Sequence, residues 1–316
     1  MCEYKYDNFK WSGRVDSIND YATFRWHQVI KQINLDKTEK VQKPSIVLLG
    51  FCCDEGVKRN MGRVGAKDAP VVIRKYLASL PWHWEDLNLL DAGDILVDDG
   101  QLEDGQLMLS QKVDKIRSMG AFPIVLGGGH EVAYGTFSGV KDVKPVIVNF
   151  DAHFDNRPYE NGASSGTMFA QIADEMKEFY KYLCVGIQKS GNTKLLFDRN
   201  KKFGGKCVFA EELFNDLQSV INGIKKFIEN TSAVYMTVCM DVFSSSIACG
   251  VSAPIPFGIF PNHFLACFKE IAKTGKLVAF DIAEVNPSFD TDGRTARLAA
   301  HIIFHVVENV AEWGYL

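Results

Sequence analysis

Three side chains of metal-ligand type follow one apolar segment at alternating positions. The segment Val146–Phe150 is followed by Asp151, His153 and Asp155. Because side chains two positions apart in an extended chain point to the same side, two carboxylates and an imidazole can converge on one cation. A polar turn with capping carboxylates is the alternative. The convergence of three potential ligands at the end of a buried strand favours a metal site.

Three other apolar segments also end in polar groups. Residues 127–129 are glycines that lead into His130, Cys239 and Asp241 alternate after a second segment, and Glu284 follows a third. Glycine permits tight turning and close approach of the backbone. The glycine segment lacks the Lys-Ser/Thr pair of a phosphate-binding P-loop. Since ligands of open parallel sheets bind beyond the carboxyl ends of the strands, we expect these groups at one sheet edge.

Short apolar segments alternate with helical stretches along the chain. The pattern predicts strands at 46–51, 87–91, 122–126, 146–150, 183–187, 207–209, 234–240 and 277–280, and helices at 70–80, 102–119, 167–180, 211–228, 260–273 and 294–312. Nearly continuous apolar strands are typical of parallel sheets that are buried on both faces. We therefore expect an α/β protein, a three-layer α/β/α sandwich with a mainly parallel sheet of about eight strands. Residues 1–316 should form a single domain, with 1–44 as a peripheral segment and a helix over 21–33 packed outside the sheet.

Composition excludes several classes of function. The chain has 316 residues, of which 47% are hydrophobic and 23% charged, as in an ordinary globular protein. Its 35 Lys+Arg and 39 Asp+Glu give a net charge of -4 without basic clusters, so neither nucleic acid nor a membrane surface is an expected partner. No apolar stretch approaches the roughly 20 residues of a membrane-spanning helix, and the first residues do not form a signal peptide. We expect a cytoplasmic protein whose eight cysteines are reduced.

The order of these motifs resembles the arginase (ureohydrolase) family. The motifs are Gly-Gly-Gly-His-Glu, Asp-Ala-His-Phe-Asp, Met-Asp-Val-Phe followed by Gly-Val-Ser-Ala-Pro, and Asp-Ile-Ala-Glu-Val-Asn-Pro, all between positions 127 and 287. The resemblance implies two Mn²⁺ ions that share a hydroxide, and it suggests a homo-oligomer. Carried over, one ion would be bound by His130, Asp151 and Asp155, and the other by His153, Asp151 and Asp241. Hard oxygen ligands with two imidazoles also suit Mn²⁺ on chemical grounds.

The sequence departs from the family at one ligand position. The family has an aspartate there that reaches both ions, and Cys239 stands in its place. A thiolate offers one soft sulfur and should favour Zn²⁺ or Fe²⁺ over Mn²⁺. The alternative is that Cys239 is an ordinary buried residue and that the metal centre is weakened. The sequence leaves both open.

Three stretches resemble those family members that hydrolyse N-formimidoyl-L-glutamate to L-glutamate and formamide in histidine degradation. They are residues 54–66, the Asp-Asn-Arg-Pro segment 155–158, and the Ser-Ser-Gly-Thr-Met-Phe segment 164–169. The third stretch has Phe169 where arginases carry a histidine that shuttles protons. The resemblance therefore implies a small-molecule substrate with carboxylate groups.

Basic side chains near the predicted metal site suit such a substrate. Arg63 and Arg157 could each make bidentate contacts to a carboxylate, and Asn60, Ser164 and Ser165 could donate further hydrogen bonds. Alternatively, either arginine caps a backbone carbonyl or pairs with a nearby acid.

Two acidic residues have expected roles in the reaction. Glu284 would accept hydrogen bonds from the amidine-type nitrogen, unless it caps a helix or pairs with Arg294. Asp155 would relay a proton to the leaving amine. Two other functions remain open from the sequence: a non-catalytic arginase-like protein with an impaired metal centre, and a ureohydrolase for another guanidino or amidino acid.

Overall fold

A ten-stranded sheet runs through residues 2–313, the part of the chain that the computed structural model describes. The strands are β1 (Cys2–Lys5), β2 (Lys31–Gln32), β3 (Ser45–Cys52), β4 (Asn88–Val97), β5 (Phe122–Leu126), β6 (Val146–Phe150), β7 (Tyr182–Ile187), β8 (Lys206–Phe209), β9 (Val234–Cys239) and β10 (Leu277–Ala283). Their order is β1-β4-β3-β5-β10-β9-β6-β7-β8, and β2 also pairs with β4. Within this described sheet, β1 pairs with β4 in antiparallel orientation and the other pairs are parallel.

Helices cover both faces of the sheet. They are α1 (Trp26–Val29), α2 (Glu55–Arg59), α3 (Ala69–Leu77), α4 (Leu102–Ser118), α5 (Val132–Ser138), α6 (Met168–Met176), α7 (Lys194–Lys202), α8 (Ala210–Asn215), α9 (Leu217–Ile228), α10 (Pro261–Ala272) and α11 (Arg294–Glu312). One hydrophobic core contains residues of α3, α9, α10 and α11, and a second contains residues of α4, α5, α6 and α7. The predicted three-layer α/β/α architecture is confirmed.

The central strands are mostly apolar because each contributes to both cores. In β3, Ile46 and Leu48 belong to the first core, whereas Val47, Leu49 and Phe51 belong to the second. All five are fully buried. Successive side chains of a strand point to opposite faces, so a strand covered on both sides needs an apolar residue at almost every position.

The predicted helix over 211–228 is interrupted. The chain turns at Asp216, between α8 and α9, where the backbone φ is -153°. The Asp216 carboxylate accepts a hydrogen bond from the Ser219 N–H at 3.0 Å and so caps the start of α9. Aspartate at this position satisfies an amide that the helix itself leaves unpaired.

The predicted helix over 21–33 is wrong. Residues Tyr21–Thr23 form a short 3₁₀ turn, α1 has four residues, and β2 follows immediately. Trp26 is fully buried and packs edge-to-face on Trp82, with ring centroids 6.0 Å apart. Residues 2–44 add β1 and β2 to the sheet, and the backbone of these two strands pairs with β4.

Strand β4 continues to Val97, beyond its predicted end at residue 91. Asp91 and Asp94 lie inside it and are fully buried, because Arg74 of α3 is buried between them. The Arg74 guanidinium lies 2.9 Å from Asp91 Oδ1 and 2.5 Å from Asp94 Oδ1, and it also donates to the Gly93 carbonyl at 2.8 Å. One guanidinium thus compensates two carboxylates that otherwise could not remain in the interior.

The same two aspartates attach the N-terminal segment to the sheet. Trp11 Nε1 donates to Asp91 Oδ2 at 2.7 Å, and Asn8 Nδ2 donates to Asp94 Oδ2 at 2.5 Å.

Among residues 2–313, no helix is long and apolar enough to cross a membrane. All eight cysteines are free thiols, as the sequence predicts.

Replacing Arg74 should be strongly destabilising. Arg74→Leu leaves two buried carboxylates without a counterion, so we expect a loss of about 3–5 kcal/mol in the free energy of unfolding. Urea unfolding followed by circular dichroism measures this. The control is Lys194→Ala, which removes an exposed i,i+4 ion pair with Asp198 and should cost less than about 1 kcal/mol. Similar losses for the two variants would contradict the assignment.

Candidate metal centre and substrate cavity

Four neighbouring strands place their carboxyl ends at one point of the sheet edge. These strands are β5, β10, β9 and β6, in that order across the sheet. His130 follows β5, Asp151 follows β6, Cys239 ends β9 and Glu284 follows β10. Because the four strands are parallel, their carboxyl ends meet, and the side chains singled out in the sequence come together.

The glycine segment places His130 where two other strands end. A Cβ atom at Gly128 would lie 1.8 Å from the Cys53 carbonyl oxygen, so only glycine fits there. The Gly129 N–H donates to that carbonyl at 2.9 Å, and the Glu284 N–H donates to the Gly128 carbonyl at 2.8 Å. The segment is therefore held between the ends of β3 and β10.

Two groups of potential metal ligands share Asp151. One consists of His130, Asp151 and Cys239, and the other of Asp151, His153 and Asp241. Within each group the ligand atoms lie within 4.8 Å of one another. Two such triplets could bind a pair of cations, with the Asp151 carboxylate as the ligand that both share.

Short distances join the potential ligand atoms around Asp151. His130 Nδ1 lies 3.0 Å from Asp151 Oδ2 and 3.1 Å from Asp155 Oδ2. His153 Nδ1 lies 3.1 Å from Asp241 Oδ2 and 3.6 Å from Asp151 Oδ1. Asp241 Oδ1 is buried without a hydrogen-bond partner among residues 2–313. Carboxylate oxygens and imidazole nitrogens that converge in this way fit divalent cations such as Mn²⁺.

In this cluster, protonation of the two histidines compensates the negative charge of the adjacent carboxylates. Burial opposes protonation of His130 and His153, but hydrogen bonds and charges from the adjacent carboxylates outweigh it and raise both pKa values well above the ordinary range. Burial alone would raise the pKa of Asp151, but its hydrogen bonds to the two histidines lower it. Burial and the charge of Asp151 raise the pKa of Asp155 to about 6. Bound cations would supply positive charge in place of these protons.

The thiol of Cys239 lies inside this negative environment. The residue is buried, and burial together with the charges of Asp151 and Asp241 raises its pKa well above that of an ordinary cysteine. A cation at the site would oppose all three effects, because coordinated thiols lose their proton.

A cavity of about 300 Å³ lies over the cluster. Its lining includes five residues predicted to contact substrate, which are Asn60, Arg63, Arg157, Ser165 and Glu284. It also includes Asp155, Cys239 of the first triplet, and His153 and Asp241 of the second. Asn60 Nδ2 donates to Ser165 Oγ at 3.4 Å. Ser164 instead belongs to a turn, where its N–H donates to Thr167 Oγ1 at 2.8 Å and its hydroxyl accepts from the Gly166 N–H at 3.3 Å.

Glu284 presents one carboxylate oxygen that the protein does not use. Its Oε1 accepts the His130 N–H at 2.9 Å, whereas Oε2 is buried without a partner in the described part of the chain. Burial, with the charges of Glu131 and Asp241, raises its pKa well above that of an ordinary glutamate. Its backbone φ is +67°, and that of Asp155 is +45°. Such left-handed conformations are unfavourable for these residues and are often found at functional sites.

The two arginines are held differently. Arg63 Nε donates to the Ser252 carbonyl at 3.0 Å, Nη2 donates to the Val251 carbonyl, and the guanidinium carbon lies 4.1 Å from the ring centre of Phe289. The carbonyl-capping alternative therefore applies to Arg63, which also lines the cavity. Arg157 is exposed, and within residues 2–313 its guanidinium makes no hydrogen bond or ion pair.

Sequence reasoning missed the support behind His130. Its Nε2 lies 3.0 Å from Thr237 Oγ1, and that hydroxyl donates to Asp281 Oδ1 at 2.5 Å. The Phe169 ring packs edge-to-face on the imidazole, with centroids 5.7 Å apart. The sequence contains one sign of these contacts, the carboxylate of Asp281. The predicted strand ends before this residue, whereas Asp281 lies inside β10.

Comparisons with known proteins agree with this geometry. The model of the arginase family matches residues 44–308. A formimidoylglutamase from Clostridium tetani is 46% identical over 319 residues, covering 96% of this chain and 94% of the relative.

Solved structures show the same fold. The structure of Trypanosoma cruzi formiminoglutamase with Mn²⁺ superimposes with a TM-score of 0.77 at 25% identity, covering 88% of this chain and 98% of that one. Formimidoylglutamase from Bacillus subtilis subsp. subtilis str. 168 superimposes with a TM-score of 0.82 at 23% identity, covering 94% and 95%. The chain belongs to the arginase family.

Proposed function

We propose that this protein is a formimidoylglutamase, which hydrolyses N-formimidoyl-L-glutamate to L-glutamate and formamide in histidine degradation, with two Mn²⁺ ions. The observation that carries the proposal is the cavity, which is lined by Cys239, His153 and Asp241 of the two ligand triplets and also by Arg63 and Arg157. The relatives named formimidoylglutamase support the choice of substrate.

Six residues would hold the metal ions. They are His130, Asp151, His153, Asp155, Cys239 and Asp241. Bound divalent cations would supply Lewis-acid chemistry and activate water near neutral pH. Cys239 stands beside Asp151 and His130, where a thiolate would add one sulfur ligand to a set of oxygens and nitrogens.

The cavity wall would orient the substrate through its two carboxylates. The Arg157 guanidinium makes no hydrogen bond to residues 2–313 and can bind one carboxylate. Arg63 lines the cavity while its guanidinium is held by two carbonyls. Asn60 and Ser165 can donate further hydrogen bonds. A direct contact from Ser164 stays a prediction, since its polar groups serve the turn.

Glu284 and Asp155 would act on the reacting group. Glu284 Oε2 can accept a hydrogen bond from a formimidoyl nitrogen and so hold the electrophilic carbon over the cluster. Hydrolysis adds water to that carbon and breaks its bond to the glutamate nitrogen, which leaves as the amine and needs a proton. The Asp155 carboxylate lies beside His130 in the cluster and would relay that proton to the amine. Phe169 has no titratable group.

The remaining expectations about this protein stay predictions. They concern assembly into a homo-oligomer and location in the cytoplasm.

A non-catalytic role would rest on Cys239 alone, and the other five ligand candidates are all in place. A guanidino substrate such as arginine would bring its cationic group towards two arginines, which disfavours it.

The purified protein should release formamide from N-formimidoyl-L-glutamate when supplied with Mn²⁺ under reducing conditions. Arginine and agmatine should be inert, because neither carries the second carboxylate that the arginines would bind. The control is Asp241→Asn, which removes a carboxylate ligand and should lower kcat by about 100-fold or more. A folded, Mn²⁺-loaded protein that releases no formamide, or that prefers arginine, would contradict the proposed function.

Absorption spectra with Co²⁺ test whether Cys239 is a ligand. We expect a near-ultraviolet sulfur-to-cobalt charge-transfer band in the Co²⁺-loaded protein and none in Cys239→Ser. The matched control Cys207→Ser should keep the band, because Cys207 lies in β8, away from the cluster. Cys239→Asp should bind Mn²⁺ more tightly than the unmodified protein, since it replaces a soft ligand by hard oxygens. Identical Co²⁺ spectra with and without the thiol would show that it does not ligate.

Arg157 should contribute to substrate binding more than to turnover. Arg157→Gln removes a charge-assisted contact, so we expect kcat/KM to fall about 10- to 100-fold, equivalent to about 1.5–3 kcal/mol, mainly through KM. Arg157→Lys keeps the charge but not the bidentate fork and should be intermediate. Arg14→Gln changes an exposed arginine that pairs with Asp16 and should have no effect. An unchanged KM in Arg157→Gln would exclude the contact.

A further inference from the structure

A line of buried hydrogen bonds leads away from His130 into the sheet. His130 Nε2 lies 3.0 Å from Thr237 Oγ1, and Thr237 Oγ1 lies 2.5 Å from Asp281 Oδ1. The Tyr235 hydroxyl donates to the other oxygen, Asp281 Oδ2. Thr237, Tyr235 and Asp281 are fully buried, and His130 is 1% exposed. Water does not compete for these contacts, so the protein groups themselves determine where each hydrogen lies.

The hydrogens in this line can be assigned by donor counting. A carboxylate between two hydroxyl groups accepts from both, so the single hydrogen of the Thr237 hydroxyl points to Asp281. The lone pairs of Thr237 Oγ1 are then what His130 meets, and Nε2 must carry the hydrogen. The neighbouring carboxylates favour a protonated ring in the metal-free site, but metal binding requires the neutral imidazole, which has only one N–H. His130 Nδ1, which faces Asp151 and Asp155, is therefore left with its lone pair free for a cation.

The line also fixes the orientation of the ring. Thr237 belongs to β9 and Asp281 to β10, and these residues are direct neighbours in the strand register. On its other side, the ring is bounded by Phe169 at 5.7 Å. His153 differs: its side chain is 19% exposed, and its Nε2 has no hydrogen bond to residues in the 2–313 range. The support from the sheet interior thus reaches His130 alone among the two histidines.

We propose that Asp281 and Thr237 are positioning residues, which hold His130 in its Nε2–H tautomer so that Nδ1 can bind a metal ion. The inference rests on the metal-binding part of the proposed function. Hydrogen bonds of this kind behind metal-ligating histidines typically change metal affinity by about 10- to 100-fold. The pair acts through His130 and touches neither the substrate cavity nor the second ligand triplet.

The test compares Thr237→Val with Thr237→Ser in Mn²⁺ titrations of the metal-free protein. Binding is followed by electron paramagnetic resonance and calorimetry, neither of which depends on turnover. Thr237→Val keeps the shape of the side chain and removes the hydroxyl, so one of the two ions should bind about 10- to 100-fold more weakly while the other changes little. Thr237→Ser retains the hydroxyl and should bind both ions as the unmodified protein does.

A second variant keeps the test decisive if Thr237→Val does not fold. Asp281→Leu removes both acceptor oxygens at similar volume, so the Thr237 hydroxyl hydrogen turns towards His130 Nε2 and reverses the tautomer. It should weaken the same ion. Circular dichroism and the melting temperature of the metal-free variants report folding separately.

The outcomes separate this inference from the proposed function. Normal Mn²⁺ binding by the unmodified protein, with equally tight binding by folded Thr237→Val and Asp281→Leu, would overturn the positioning role and leave the metal centre standing. A lower melting temperature with unchanged affinity would show a purely structural role and would also overturn it. An unmodified protein that binds no Mn²⁺ would overturn the proposed metal centre, and this inference with it.

Discussion

The buried carboxylate of Asp151 is the constraint on which the rest of the site depends. Its Oδ2 lies 3.0 Å from His130 Nδ1 and accepts from Asn149 Nδ2 at 3.1 Å, while Oδ1 accepts the His153 N–H at 2.8 Å. Both ligand triplets contain it, so neither survives without it. An ionised carboxylate in the interior costs several kcal/mol unless positive charge and hydrogen bonds compensate it. The two surrounding histidines provide that compensation, and the proposed cations would do so in place of their protons.

Neighbouring strand ends surround this carboxylate, and two nearby residues adopt unfavourable backbone conformations. Four parallel strands end at the cluster, and the glycine at position 128 lets two of the connecting loops pass in contact. Asp155 and Glu284 reach the cluster from left-handed backbone conformations, each of which costs about 1–3 kcal/mol. In strand β4, Arg74 compensates two further buried carboxylates, those of Asp91 and Asp94. The buried charges inside β4 are thus paired with Arg74. At the candidate site, in contrast, Asp241 and Glu284 each have a buried oxygen without a hydrogen-bond partner in residues 2–313.

Much of the sheet and most of the site followed from local patterns in the sequence. The eight predicted strands are present, and the alternation of Asp151, His153 and Asp155 identifies the end of β6 because period-two spacing is visible in a single segment. What sequence reasoning missed depends on which segments are neighbours in space. Asp91 marks a strand end in the sequence, yet β4 continues through it because Arg74 arrives from α3. The pairing of β9 with β10, which joins Thr237 to Asp281, likewise has no local signal.

The most direct test of the metal centre is X-ray diffraction from crystals of the Mn²⁺-loaded protein, with anomalous difference maps on either side of the manganese absorption edge. We expect two peaks beside the cavity that disappear below the edge, one against His130, Asp151 and Asp155 and the other against Asp151, His153 and Asp241. Peaks elsewhere in the molecule, a single peak that does not contact Asp151, or an empty cluster in a folded crystal would contradict it.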